Sequence, residues 1–212
     1  MIFNKEWLTK SKIRLLFIVM GFLVVIAFLV SIIVTATNKR IHRTMDDMNQ
    51  ISYEELFNKN DDKYFVYFYQ DECIVCKEIK DEIIKYSKKG EVPIYALNMG
   101  LPSNEEGWYE WEKHHEQFDK EIGIISENGK KEFFDGDTEE KYTNDTEVNW
   151  EIINEDSKII AKNNTPYINI DEFSNGNVKI ATTPSMILVE NNKFKEFYST
   201  VTEIFNELNT YY

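Results

Sequence analysis

The chain has 212 residues, of which 42% are hydrophobic, and a formal net charge of −13. Residues 1–43 carry seven basic side chains against one acidic one, which leaves 36 acidic and 17 basic side chains, a net −19, to residues 44–212. So acidic a region argues against nucleic acid or an anionic lipid surface as partner, its plain reading being a solvated surface; with a long apolar segment near the start set aside, the remainder suffices for one core.

The tail, residues 1–14, carries Lys5, Lys10, Lys12 and Arg14. Residues 15–37 then run without a charge. A bilayer span needs about 20 apolar residues, and this run lacks the polar face of a core helix. A cleaved secretory signal is the alternative, since Val34-Thr35-Ala36 offers small residues for cleavage. The run is longer than the roughly 7–15 residues of a signal core, however. An uncleaved transmembrane anchor over 15–37 is therefore expected. Four basic residues precede it and three (Lys39, Arg40 and Arg43) follow, which favours a cytoplasmic N-terminus by one charge. Residues 38–50 are polar and predict a linker, leaving 51–212 as the folded domain.

Ser52-Tyr53-Glu54-Glu55 has the form of a capping box, with Ile51 and Leu56 placed as a hydrophobic staple, and predicts a helix. Residues 64–70 read as an aromatic strand ending in Asp71-Glu72. Cys73-Ile74-Val75-Cys76 opens an amphipathic helix with Ile79, Ile83 and Tyr86 on one face, closed by Lys85, Lys88, Lys89 and Gly90. Residues 92–98 form a short apolar strand, and strand, helix, strand at this spacing predicts a βαβ unit with parallel strands. An alternative places that second strand at 168–171; the normal loop length after the helix favours 92–98. A second capping box, Ser103-Asn104-Glu105-Glu106, predicts a helix aligning Trp108, Trp111, His115, Phe118 and Ile122. The tryptophans suit either packing or a peptide groove. His114 and His115, being adjacent, point apart and suit the surface. Asn128-Gly129 predicts a hairpin between Ile124-Ile125 and Phe133-Phe134, followed by an acidic, turn-rich stretch to Asn149. Asn175-Gly176 predicts another between residues 167–171 and 178–180. Thr182-Thr183-Pro184 leads into an apolar strand at 185–189, and Asn191-Asn192 turns the chain into 193–198. A last helix opens at Thr200, with Glu203 as capping partner and Val201, Ile204, Phe205 and Leu208 on one face.

Cys73 and Cys76 are the two cysteines of the chain. Three apart at a helix start, they suit a short-range disulfide, and the unpaired N–H groups there favour a thiolate on the first. Asp71 and Glu72 oppose an anion on the same sulfur. The pair also reads as a permanent structural disulfide, although so short a loop restrains little unfolded-chain entropy. Zinc would need two further ligands, and His42, His114 and His115 lack a finger-like spacing, so neither a metal nor another cofactor is expected.

With the strand 64–69, the cysteine pair opening a helix, and Thr183-Pro184 ahead of a hairpin and a terminal helix, the chain resembles the thioredoxin-fold thiol–disulfide oxidoreductases. The resemblance covers about 44–98 and 166–212. It implies an α/β, thioredoxin-like fold with residues 100–165 as an inserted helix–hairpin region, preceded by one N-terminal transmembrane helix. It implies a redox-active disulfide in which Cys73 is the nucleophile and Cys76 the resolving, more buried sulfur. Pro184 would be cis, and Thr183 would offer backbone groups to a bound peptide. Three positions depart from the family pattern. Glu72 stands where thioredoxin has a tryptophan, Tyr67 where it has a buried acid, and Ile74-Val75 between the cysteines matches neither glycine–proline nor proline–histidine. The narrower likeness is to membrane-tethered, extracytoplasmic members of Gram-positive bacteria, thioredoxin-like or accessory to bacteriocin transport. The implied partners are cysteine-containing clients, the membrane through 15–37, and a separate protein or small thiol that recharges the pair. Disulfide chemistry is at home outside the membrane. A non-catalytic accessory protein that binds a transport partner is the alternative.

Overall fold

The structure, a computed structural model, describes residue 15, residues 17–30 and residues 44–212, and the chain divides between Arg43 and Thr44. Residues 17–30 are helical and their large apolar side chains are exposed. Among the described residues no helix is long and apolar enough to cross a membrane. The anchor expected over 15–37 falls partly on residues 16 and 31–37, which lie outside the described residues, as do the tail 1–14 and residues 38–43 of the expected linker.

The second unit, Thr44–Tyr212, is mixed α/β. Its strands are β1 (Lys63–Tyr69), β2 (Ile94–Asn98), β3 (Lys120–Ile125), β4 (Lys131–Phe133), β5 (Trp150–Glu155), β6 (Lys158–Asn163), β7 (Ser185–Glu190) and β8 (Lys193–Tyr198). Its helices are α1 (Ile74–Lys89), α2 (Trp111–Phe118), α3 (Glu139–Thr143) and α4 (Val201–Leu208). One four-stranded sheet has the order β2-β1-β7-β8, with β1 parallel to β2 and antiparallel to β7, and β7 antiparallel to β8. The helix α1 joins the parallel pair, so β2 is the strand at 94–98 rather than the alternative at 168–171.

The centre of this sheet is β1, whose residues Tyr64 to Phe68 are all 0% exposed. Successive side chains of a strand point to opposite faces, and here both faces are covered. Phe65, Tyr67 and Tyr69 join a core with Ile83 and Ile84 of α1 and Ile204 and Leu208 of α4. Tyr64, Val66 and Phe68 join another with Leu56, Phe173, Val178 and Ile180. An unbroken apolar run is the signature of a strand buried on both sides.

Residues 44–50, expected as linker, belong to this unit. Met45 and Met48 are buried in the first core, and Asn49 and Ile51 exchange 2.9 Å backbone hydrogen bonds with Ala96 of β2. The helix expected at Ser52 is a single 3₁₀ turn, Tyr53–Glu55, in which the Glu55 carboxylate accepts from the Ser52 N–H at 2.9 Å. It does not lengthen because Asn58, Asn60, Asp61 and Asp62 follow, residues whose short polar side chains favour turns over helix.

The inserted region is larger than a helix and a hairpin: it forms a second four-stranded antiparallel sheet, ordered β4-β3-β6-β5. Ile122, Ile159 and Ala161 pack there with Tyr142 of α3. The Asn128-Gly129 turn joins β3 to β4, with Gly129 at φ 80°. The expected helix over Trp108 to Ile122 is divided. A 3₁₀ stretch, Pro102–Gly107, comes first, α2 holds Trp111 and Phe118, and Ile122 lies in β3. The capping box expected from Ser103 and Glu106 does not form, Leu101 standing at the start of the stretch without a side-chain cap, and the buried Asn104 side chain accepts from the Tyr53 N–H and donates to the Asn98 carbonyl. The hairpin expected at Asn175-Gly176 is instead a 3₁₀ turn, Ile170–Asn175, capped by Gly176 at φ 88°. The β7–β8 turn is Asn191-Asn192 at φ 51° and 59°, and α4 carries its capping box, with the Glu203 N–H 3.2 Å from the Thr200 hydroxyl.

Candidate functional site

The apolar run of β1 stops at Tyr69, and Gln70-Asp71-Glu72 turns the chain into α1 with Cys73 as the residue before its first turn. Cys73 and Cys76 are joined by a disulfide. The Cys76 N–H points at Cys73 Sγ, 3.0 Å away, and Lys77 N–H donates to the Cys73 carbonyl. The two sulfurs differ in access: Cys73 is half-buried, whereas Cys76 is 4% exposed among core residues.

The segment ahead of β7 meets this helix start. The Thr183–Pro184 peptide bond is cis and Pro184 is buried. Cys73 Sγ lies 3.4 Å from the Thr183 carbonyl oxygen, and the Thr183 hydroxyl donates to the Gln70 side-chain oxygen at 3.3 Å. The structure thus brings Cys73, Cys76, Thr183 and Pro184 together from stretches more than 100 residues apart. A shallow depression opens at Cys73 and Thr183, lined also by Ile74, Val75, Trp108 and Thr182. Trp108 and Gln70 also line an adjoining depression formed by residues 99–102. Gln70 carries no sequence signal beyond its place at the strand end, and Trp108 reaches the site only because residues 107–109 run beside 180.

The two carboxylates before Cys73 are exposed. Asp71 accepts from the Asn98 amide at 3.0 Å, and Glu72, its side chain 96% exposed, lies 3.6 Å from the Lys77 ammonium. Charges so exposed are screened by water and salt, whereas the Cys76 N–H acts at contact distance on Cys73 Sγ. Behind Cys76 the strand offers phenols rather than a carboxylate. Burial pushes the Tyr67 phenol up, and burial, followed by the charge of Asp71, pushes Tyr69 up to about 12. Both stay protonated at neutral pH, so neither serves as a base there. The Tyr67 hydroxyl has no hydrogen-bond partner among the described residues.

His114 is not at the surface. It is buried, with Nδ1 2.8 Å from the Tyr109 hydroxyl and Nε2 3.1 Å from the Asn163 carbonyl. That carbonyl accepts only, so Nε2 carries a proton, and Nδ1 pairs with the Tyr109 hydroxyl, whose oxygen also accepts from the Tyr167 N–H. His114 is a fixed strut of the inserted region. Among the described residues no group of three or more His, Cys, Asp or Glu is placed to hold a metal ion.

No family model matches the chain. Among solved structures it is similar to thioredoxin f2 of Chlamydomonas reinhardtii, at 15% identity and a TM-score of 0.36, over 77% of this chain and 94% of that one.

Proposed function

We propose that this chain is a membrane-tethered thiol–disulfide oxidoreductase acting on the cysteines of exported or surface proteins. The observation that carries the reading is the unequal access of a disulfide at a helix start: Cys73 opens onto a depression beside Thr183, and Cys76 is buried. An incoming client thiolate can reach only Cys73. Its attack forms a client–Cys73 bond and breaks the Cys73–Cys76 bond, and Cys76 leaves with the electron pair and takes up a proton. A second client thiolate then attacks the client sulfur, displacing Cys73 as a thiolate that the Cys76 N–H is placed to stabilise. Two client thiols become a disulfide and the protein becomes a dithiol. The same steps in reverse reduce a client, and a separate protein or small thiol resets the pair.

The tether rests on sequence and exposure together. Residues 15–37 carry no charge, and the large side chains of 17–30 lie exposed on a helix, an arrangement that favours hydrocarbon over water. The charge balance around the run supports a cytoplasmic N-terminus, with the domain outside the cell. The test has two arms. Purified reduced protein is expected to cleave a small aromatic disulfide, and a Cys73→Ser variant to lose that activity; equal rates in the two proteins would sink the assignment. An impermeant maleimide added to intact, mildly reduced cells is expected to label Cys73, and labelling only after lysis would contradict the topology.

A further inference from the structure

The inserted region lends an aromatic residue to the mouth of the site. Trp108 is the half-buried aromatic that lines both depressions flanking Gln70. Its ring is held from two directions. The indole N–H donates to the Met99 carbonyl at 2.9 Å, and on either side of it the Ile180 N–H donates to Gly107 and the Tyr109 N–H to Ile180, at 2.8 and 3.0 Å. Residue 180 is three positions from Thr183, so the backbone that presents Trp108 is hydrogen-bonded to the backbone that presents Thr183. Around this fixed ring stand apolar side chains left in water. Ile74, 72% exposed, lines the depression over Cys73, and Leu101, 50% exposed, lines the adjoining one. The charged residues of the two linings are Glu72 and Glu105, both exposed. The nearby Lys179 is engaged at the Glu106 carbonyl, 2.7 Å away.

We propose that Trp108, with Ile74 and Leu101, selects clients, accepting an extended cationic polypeptide segment that carries a bulky apolar residue beside its reactive cysteine. This rests on the thiol-exchange reading of Cys73 and names what that site takes. A client sulfur at Cys73 puts its neighbouring side chain against Trp108 and Ile74, and burying exposed apolar surface on a pre-ordered aromatic ring is an efficient source of binding energy. The acidic rim, on a region of net charge −19, supplies the charge complement and speeds encounter with basic segments.

The test uses the full-length protein, reduced and held in lipid nanodiscs. The probes are three synthetic peptides whose single cysteine is capped as a mixed disulfide with a chromogenic thiol. One has leucine beside the cysteine and flanking lysines, one replaces leucine by serine, and one replaces the lysines by glutamates. The Cys73 thiolate attacks the peptide sulfur and the chromophore leaves as its thiolate, so its release gives the second-order rate constant. The leucine peptide is expected to react roughly tenfold faster than the serine peptide, and faster than the glutamate peptide by a factor that shrinks with salt. Trp108→Ala and, separately, the exposed-site change Leu101→Ser should each lower the leucine-to-serine ratio severalfold, and Trp108→Phe should keep most of it. Equal rates on the leucine and serine peptides in the wild type would overturn the proposal. So would variants that slow every peptide by one common factor, which would make Trp108 a packing residue only. No chromophore release from any peptide would contradict the thiol-exchange reading itself, and the proposal with it.

Discussion

Tyr67 and Tyr64 are neighbours on one strand, three positions apart, and show how much one hydroxyl decides. Both are fully buried. The Tyr64 hydroxyl donates to the Leu56 carbonyl at 2.9 Å, and the Tyr67 hydroxyl has no partner among the described residues. A buried polar group without a partner costs about 1–3 kcal/mol, and a bonded one contributes about 1 kcal/mol net. Tyr67→Phe is therefore expected to stabilise the domain by about 1 kcal/mol, and Tyr64→Phe to destabilise it by about the same amount. Urea unfolding measures both, and a Tyr67→Phe protein less stable than wild type would show that the hydroxyl has a partner. At this scale the cysteine pair was legible in the sequence, because strand and spacing are local signals, whereas Thr183-Pro184 entered only as what the family resemblance implies. Gln70 and the burial of His114 were not legible, and Trp108 was marked only as suiting either packing or a groove. Their roles come from 107–109 lying beside 180 and from Asn163 and Tyr167 closing over a histidine, contacts between stretches far apart in the chain.

Elements whose local signals agree formed where the sequence placed them. The strand β1, the helix α1, the Asn191-Asn192 turn and the capping box of α4 each combine periodicity with a terminal signal. The β5–β6 hairpin had neither. Its strands mix polar and apolar residues without strict alternation, and its two-residue turn is Asp156-Ser157, with both residues at positive φ, 47° and 64°. Such turns favour Asn-Gly, so nothing in the letters marked it. The reverse happened at Asn175-Gly176, where the positive φ of Gly176 closes a 3₁₀ turn rather than a hairpin. The strain at Ser157 makes a prediction for this element. Ser157→Gly relieves the left-handed backbone and is expected to stabilise the domain by about 0.5–1 kcal/mol, after the extra unfolded-state freedom of glycine is subtracted. An unchanged or lowered urea midpoint would contradict that reading of the turn.

At the scale of the whole molecule, the acidic domain is organised around tyrosines whose protons the fold retains. Burial pushes Tyr64, Tyr69 and Tyr86 up to about 12, and the hydrogen bond to Asp61, followed by burial, does the same for Tyr95. In the unfolded chain these phenols titrate near 10. A pKa raised by folding leaves stability intact below the unfolded value and removes it as pH rises toward the folded one. Unfolding midpoints should therefore stay level up to about pH 10 and fall steeply from there to about 12, and a midpoint constant through pH 11 would contradict the buried-phenol account. The central claim, that Cys73 exchanges disulfides with clients while Cys76 resolves them, is tested most directly by Cys76→Ala in the native host, followed by a non-reducing gel. Without the buried sulfur, Cys73 should stall on its clients, giving reductant-sensitive high-mass bands that vanish in the double cysteine variant. A lone monomer band, in cells where Cys73 still reacts with maleimide, would contradict it.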